Sequence, residues 1–181
     1  MIDGTRSRLI ESALTLLREE GLDAVTLRAV GEMAGLSRMA PYRHFADKTA
    51  LLAALAARVM SDITQHIATA VLSQGTQEER LRAFYRSYID YAVRHHEEYR
   101  LVFSSVFVAG RHPEIEQGID EIMTALSVDD GTGGPREKAA VAAVLASAHG
   151  IAELVTVGDL AHKGISTDDI IDVIVTRATR P

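Results

Sequence analysis

Apolar residues recur at helical spacing from one end of the chain to the other. Ile10, Ala13, Leu14 and Leu17 form an i, i+3, i+4, i+7 stripe with charges opposite, and Gly21 supplies a C-terminal stop. A longer stripe runs through Leu51, Leu52, Leu55, Val59, Ile63 and Ile67, behind an Asp47 that can cap it. Thr76 with Glu79 has the spacing of a capping box, as does Ser166 with Asp169, and Pro113 and Pro135 stand where first helical positions belong. The stretch "VDDGTGGP" reads as a loop. No segment shows the strict alternation or β-branched run of a strand, so the pattern predicts an all-α fold of about nine helices.

Residues 26 to 52, "TLRAVGEMAGLSRMAPYRHFADKTALL", break the monotony. Leu27, Val30 and Ala34 give a short helix one apolar face, Gly31 leaves room for a neighbouring helix, and Gly35 permits the positive φ of a tight turn. Leu36 is expected to anchor that turn in the core and Ser37 to cap the next helix, which reaches Phe45 in about two turns. Pro41 then falls about four positions into this helix and removes at most one early hydrogen bond. Val30, Leu36 and Phe45 are assigned to the core. Two helices around a short glycine turn form a helix-turn-helix, whose second helix lies in the DNA major groove. This geometry explains why the second helix carries polar residues where a core helix would carry leucine. Arg38 can donate two hydrogen bonds to a guanine edge, and the methyl of Ala40 can contact thymine. Tyr42, His44 and Lys48 are donors, with Lys48 at the start of the next helix where backbone N–H groups attract phosphate. Arg43 is a second candidate for either role. The plain alternatives are solvated surface charge for the arginines and half-buried packing for Tyr42.

Charge and composition narrow the function further. The 181 residues carry a net charge of −6, unevenly spread: residues 1–60 hold eight Lys/Arg against seven Asp/Glu, and the rest hold eleven against eighteen. The absence of cysteine excludes thiolate catalysis, a cysteine zinc site and a disulfide framework. "MIDGTRSRLIESALTLLREE" carries charges throughout and no long apolar run, so neither a signal peptide nor a membrane span is expected; the reading is a soluble, cytoplasmic protein with no membrane partner. Adjacent His95 and His96 point in different directions on a helix, no HExxH motif occurs, and His149 with Glu153 reads as a hydrogen-bonded structural pair. Neither a nucleophile elbow nor a phosphate-cradling glycine loop nor a Rossmann fingerprint is present. No metal, cofactor or catalytic residue is therefore expected, and the chain is not read as an enzyme.

The segment "TLRAVGEMAGLSRMAPYRHFADKTALLAAL" resembles the DNA-binding signature of the TetR family of bacterial transcriptional regulators, including the "YRHF" ending followed by an acidic residue, a lysine and leucines. The likeness covers residues 5 to 55. Downstream, "HHEEYRLVF" and "AHGIAELVTVGDL" weakly resemble a subgroup whose C-terminal domain is named for a Trp, His and Gly motif, although this chain has no tryptophan. The resemblance implies that Ser37, Arg38, Met39 and Ala40 open the recognition helix against the major groove. It also implies that Tyr42, His44 and Lys48 hold phosphates, with Thr26 and Arg28 helping from the preceding helix. The expected division is a helix-turn-helix DNA-binding domain over 1–50 and a helical regulatory domain over 51–181.

In the second half, Phe84, Tyr88, Tyr91 and His95 fall on one face of one helix, with Tyr85 beside it. An ordinary core stripe would favour Leu or Ile, since a buried hydroxyl or imidazole needs a partner. Together with Phe103, Phe107, Ile122 and His149 these residues are the candidate ligand site, an apolar cavity with a few polar groups. Their alternative role is core. Ala143, Ser147, Gly150 and Leu154 make a mostly small face on one helix, followed by Ile170, Ile171, Ile174 and Val175 on another. By resemblance, these two helices pair with their copies in a homodimer; alternatively they close the monomer's own core. The expectation is thus a repressor, released from palindromic double-stranded operator DNA by a small-molecule effector. A helical small-molecule binding or sequestering protein with a non-functional DNA-binding segment is the competing reading, motivated by the modest +1 of the first part.

Overall fold

In a computed structural model of the chain, residues 2–103, 117, 121, 126 and 135–178 are described. Among them are nine α-helices and no strand: α1 (Ile2–Glu20), α2 (Leu27–Met33), α3 (Ala40–His44), α4 (Lys48–Leu72), α5 (Gln77–Arg94), α6 (His96–Val102), α7 (Pro135–Thr156), α8 (Asp159–His162) and α9 (Thr167–Ala178). A 3-10 turn over Leu22–Ala24 follows α1. Pro113 and residues 128–134, expected to form a loop, lie outside the described residues.

Local chemistry sets most of the boundaries. Gly21 ends α1 at φ +83°, with its N–H on the Leu17 carbonyl at 3.1 Å. Asp47 caps α4 through the Ala50 N–H at 2.8 Å. At the start of α5 the capping box is reciprocal. Glu79 accepts the Thr76 N–H at 2.9 Å, and Thr76 Oγ1 accepts the Glu79 N–H at 3.2 Å. Before α9 the box does not close: Ser166 Oγ takes the N–H of Asp168 at 3.2 Å, one residue short of the expected Asp169.

The helices gather into two compact units, residues 1–62 with 95–116 and residues 63–94 with 117–181. In the first, α1 packs on α2, α3 and α6, and the buried apolar set includes Leu9, Leu14, Leu17, Val25, Val30, Phe45, Leu51 and Leu55. In the second, α5 packs against α7 and α9, and α7 against α8. Its core holds Ile67, Phe84, Tyr85, Tyr88, Ile151, Ile171 and Val175. The stripes anticipated on α1, α4 and α5 are the buried faces of those helices, because removal of apolar area from water is what drives them together.

Candidate nucleic-acid interface

The turn between α2 and α3 is built as a Schellman motif. The Leu36 N–H reaches the Gly31 carbonyl and the Gly35 N–H reaches the Glu32 carbonyl, both at 3.0 Å, with Gly35 at φ +63°. Leu36 is half-buried, while Val30 and Phe45 are fully in the core. The two helices meet closely where a side chain is missing. A Cβ on Gly31 would stand 2.7 Å from Pro41 Cγ.

The start of α3 corrects the sequence reading. Ser37 does not cap the helix with its hydroxyl; its carbonyl accepts the Ala40 N–H at 2.9 Å, and the N-cap is Met39, without a side-chain cap. Pro41 is the physical reason. A helix begun at Ser37 would need an N–H from Pro41 and would drive the proline ring into the carbonyl four residues back. Beginning at Ala40 places Pro41 in the first turn, where the N–H is not required. Ser37, Arg38 and Met39 consequently form an exposed turn ahead of the helix, with Met39 60% exposed.

Of the other expected DNA-facing residues, Tyr42 and Arg43 are exposed on α3, Ala40 and His44 are half-buried, and Lys48 is exposed at the first position of α4. Thr26 is exposed and caps α2, its Oγ1 accepting the Ala29 N–H at 3.1 Å. Arg28 is exposed on α2 and pairs with Glu32 at 2.9 Å, a contact that holds the guanidinium still more firmly protonated.

The cations of this unit fall into two groups. Arg18 is bound to Glu98, Arg58 to Glu11 and Asp62, Arg100 to Glu97, and Arg28 to Glu32. Arg8 donates to a backbone carbonyl, and Arg6 lies 5.5 Å over the centroid of the Phe45 ring. Among the described residues of the unit, Arg38, Arg43 and Lys48 alone have no such partner. The net +1 of the first 60 residues therefore hides how the charge is placed, since three unpaired cations gather between Arg38 and Lys48.

The candidate ligand residues are only partly brought together. Phe84, Tyr88 and Tyr91 are buried on α5 in the second unit, with Tyr88 OH 3.5 Å from His149 Nδ1 on α7. Tyr91 packs on the ring of His66, centroids 5.6 Å apart, a neighbour that the helical spacing of α5 does not signal. His95, expected to continue this face, instead leaves α5. It is the N-cap of α6 and pairs with Glu98 at 3.1 Å in the first unit. The helix breaks at His95, whose φ of −119° and ψ of 47° are not helical, and the buried apolar residues resume at Tyr99 on α6. Phe103, also in the first unit, packs on Tyr99 with the rings tilted and their centroids 4.7 Å apart. Phe107 and Ile122 lie outside the described residues.

A cleft of about 780 Å³ occurs elsewhere in the second unit, lined by Gln74, Arg82, Arg86, Asp90, Arg94 and Asp168 among others, and by none of the expected ligand residues. Cross-helix pairs of Arg82 with Asp172 and Arg86 with Asp168 tie α5 to α9 along it. On the candidate dimer helices, Ala143, Gly150 and Leu154 are exposed and Ile170 and Ile174 half-exposed. Ser147 turns inward to Tyr85 OH at 2.7 Å, and Ile171, 1% exposed, belongs to the unit's own core.

A three-helix headpiece with a tight glycine turn and an unpaired cationic recognition segment defines a helix-turn-helix protein. Residues 9–55 match the family model for bacterial regulatory proteins of the tetR family, and residues 81–178 match the tetracyclin repressor-like C-terminal domain. The chain belongs to the TetR family. It is similar to the HTH-type transcriptional activator FasR of Mycolicibacterium smegmatis, 24% identical over 137 residues that span 71% of this chain and 62% of FasR. It is also similar to the class A tetracycline repressor protein from transposon 1721 of Escherichia coli, 41% identical over 58 residues, 32% of this chain and 27% of that one. The chain thus matches less than two thirds of the length of these curated relatives. A solved structure of a protein with unknown function from Rhodococcus sp. RHA1 superposes with a TM-score of 0.77 at 26% identity, covering 96% of this chain and 92% of that one.

Proposed function

We propose that the protein is a homodimeric, ligand-responsive transcription regulator: a repressor that leaves a palindromic operator when a small-molecule effector binds its C-terminal helices. The observation that carries the DNA-binding part is the placement of unpaired cations. Arg38, Arg43 and Lys48 are exposed and free among the described residues, whereas the other cations of their unit are held by protein partners. A free cation displaces counterions from DNA, and one already held by a carboxylate does so less. This contrast favours a working interface over a DNA segment kept only as scaffold.

A short recognition helix reads few base pairs, so a twofold pair reading two half-sites is the economical arrangement. The exposed small and apolar face of α7 and α9, with Ala143, Gly150, Leu154 and Val173, supports such pairing, and exposed Val157 follows directly after α7. The buried aromatic wall of α5, with Tyr88 facing His149, has the mostly apolar, sparsely polar character of a small-molecule site. An effector would act through its different affinity for the DNA-bound and free arrangements of the dimer. Among the described residues no helix is long and apolar enough to cross a membrane, and a cytoplasmic site of action accords with a DNA partner.

The test is selection of bound duplexes from a random library by the purified protein, followed by a salt series on the winners. A palindromic winner with steep salt dependence is expected. No enrichment by a demonstrably dimeric protein would overturn the DNA-binding reading of the effector-free state. A reporter fused to the winning sequence then reads the sign of regulation.

A further inference from the structure

Arg8 and Arg6, two residues apart on α1, reach the ends of the two different helices of the helix-turn-helix. Arg8 Nη2 donates to the carbonyl of Ala34 at 2.7 Å, across 26 residues of chain. Ala34 is the C-cap of α2, whose Schellman bonds satisfy the carbonyls of Gly31 and Glu32 and leave that of Ala34 over. The guanidinium therefore takes a carbonyl left free at the negative end of a helix, a charge-assisted bond. Arg6 covers the ring of Phe45, the C-cap of α3, at 5.5 Å from its centroid. Between the two contacts, Gly31 and Pro41 hold α2 against α3 without slack.

We propose that Arg8, seconded by Arg6, is a positioning residue for operator recognition: it fixes α2 and, through the turn, the angle of α3 on α1, without touching DNA. The inference rests on the DNA-binding reading above. Both arginines are exposed but engaged by protein partners, unlike Arg38, Arg43 and Lys48, so their contribution is to orientation and not to counterion release. An angle error displaces base-reading atoms from their edges while leaving nonspecific phosphate attraction intact. Specificity, not general affinity, is the quantity Arg8 controls.

The experiment compares wild type, Arg8→Met and Arg8→Lys on two duplexes, the winner selected by the wild-type protein and a scrambled one, across a salt series. Amide exchange at Gly35 and Leu36 is followed without DNA. Arg8→Met keeps the stem but no donor. It is expected to lose about tenfold on the winner, the scale of a charged hydrogen bond, with little change on the scrambled duplex or in salt slope. Arg8→Lys, which can still donate one bond, recovers part of the loss, and exchange at Leu36 quickens in Arg8→Met. A merely structural role would lower stability but leave the ratio between the two duplexes unchanged in folded protein. Equal losses on both duplexes, with the salt slope reduced by about 1.8 for two copies, would make Arg8 a phosphate contact and overturn the proposal. So would wild-type discrimination by Arg8→Met, or, if that variant does not fold, unaltered discrimination and exchange in Arg8→Lys. Failure of the wild-type protein to select any duplex sinks the DNA-binding reading instead, and the exchange data still decide whether Arg8 holds the turn.

Discussion

Pro41 Cγ occupies the space that a Cβ on Gly31 would fill, at 2.7 Å from its ideal position. Gly31→Ala should gain about 0.5–1 kcal/mol of helix preference but lose about 1–3 kcal/mol to overpacking against a stiff ring, for a net loss near 1 kcal/mol. Urea denaturation of Gly31→Ala, Pro41→Ala and the double variant measures this. A positive coupling, with the double variant less destabilised than the sum, is the expected outcome. Operator affinity should fall in Gly31→Ala and partly return in the pair.

Glu98 is 1% exposed and is gripped by Arg18 Nε at 2.6 Å and Nη2 at 3.2 Å, joining α6 to α1. Removing one partner of a buried pair leaves a charge without compensation and costs about 3–5 kcal/mol; with Arg18 47% exposed and His95 still present, Arg18→Met should fall at the low end, about 3 kcal/mol. The double variant Arg18→Met with Glu98→Met should be much less harmful than Arg18→Met alone, because no buried charge is then left without compensation. Equal destabilisation of single and double variants would show that packing, not charge, dominates there.

The bond between Tyr85 and Ser147 is asymmetric. Ser147 Oγ already donates to the Val144 carbonyl at 2.8 Å, so the Tyr85 hydroxyl is the donor between them. Tyr85→Phe should cost at most about 1 kcal/mol, whereas Ser147→Ala strands a buried hydroxyl and should cost about 1–3 kcal/mol. Burial, outweighing the bond to Ser147, pushes the Tyr85 phenol above its ordinary value. Its contribution to stability is complete below the unfolded-state phenol value of about 10 and is lost as pH rises from there through the folded value. Ultraviolet titration of the phenolate, with Tyr85→Phe as the blank, should show one tyrosine ionising late.

At the head of α5, the Thr76 N–H and hydroxyl hold the Glu79 carboxyl below the ordinary carboxylate range. The folded value being depressed, the contribution is present above the unfolded carboxylate value and disappears as pH falls through the folded one. An NMR titration of the Glu79 side chain should place it below the exposed glutamates, and Thr76→Ala should bring it only part of the way back, because the backbone N–H at position 76, the larger of the two contributions, remains.

Lys48 and Arg38 should separate in their effects on DNA. Lys48→Ala is expected to weaken binding to all sequences and to lower the salt slope by about 1.8 for a dimer. Arg38→Ala should cost about 1–3 kcal/mol per half-site at one base position and relax preference there. A repeat of the duplex selection with each variant distinguishes them.

The features legible in the sequence were those set by near neighbours. Gly21 and Gly35 adopt the positive φ their turns require, Asp47 and Thr76 cap as their spacing predicts, and the stripes of α1, α4 and α5 are buried. Tertiary partners were not legible. The Arg8–Ala34 bond spans 26 residues and the Arg18–Glu98 pair 80, and a surface-type pattern on a helix does not reveal which charge will be covered. His95 continues the spacing of α5 yet sits outside it, because hydrophobic periodicity has no means of marking a helix break without glycine or proline. Ser37 lost its capping role to Pro41, a competition between two local rules that the segment itself contained.

The residues that frame the helix-turn-helix and those that face outward from it are different residues. Gly31, Pro41, Arg8 and Phe45 hold the frame, while Ser37, Arg38, Met39 and Arg43 have exposed side chains with no hydrogen bond or ion pair to the described residues. Substitutions at the second set carry little folding penalty. Such a headpiece is a chassis: over evolutionary time, or in a laboratory library, its target sequence can be rewritten at a few surface positions while the scaffold beneath them stays the same.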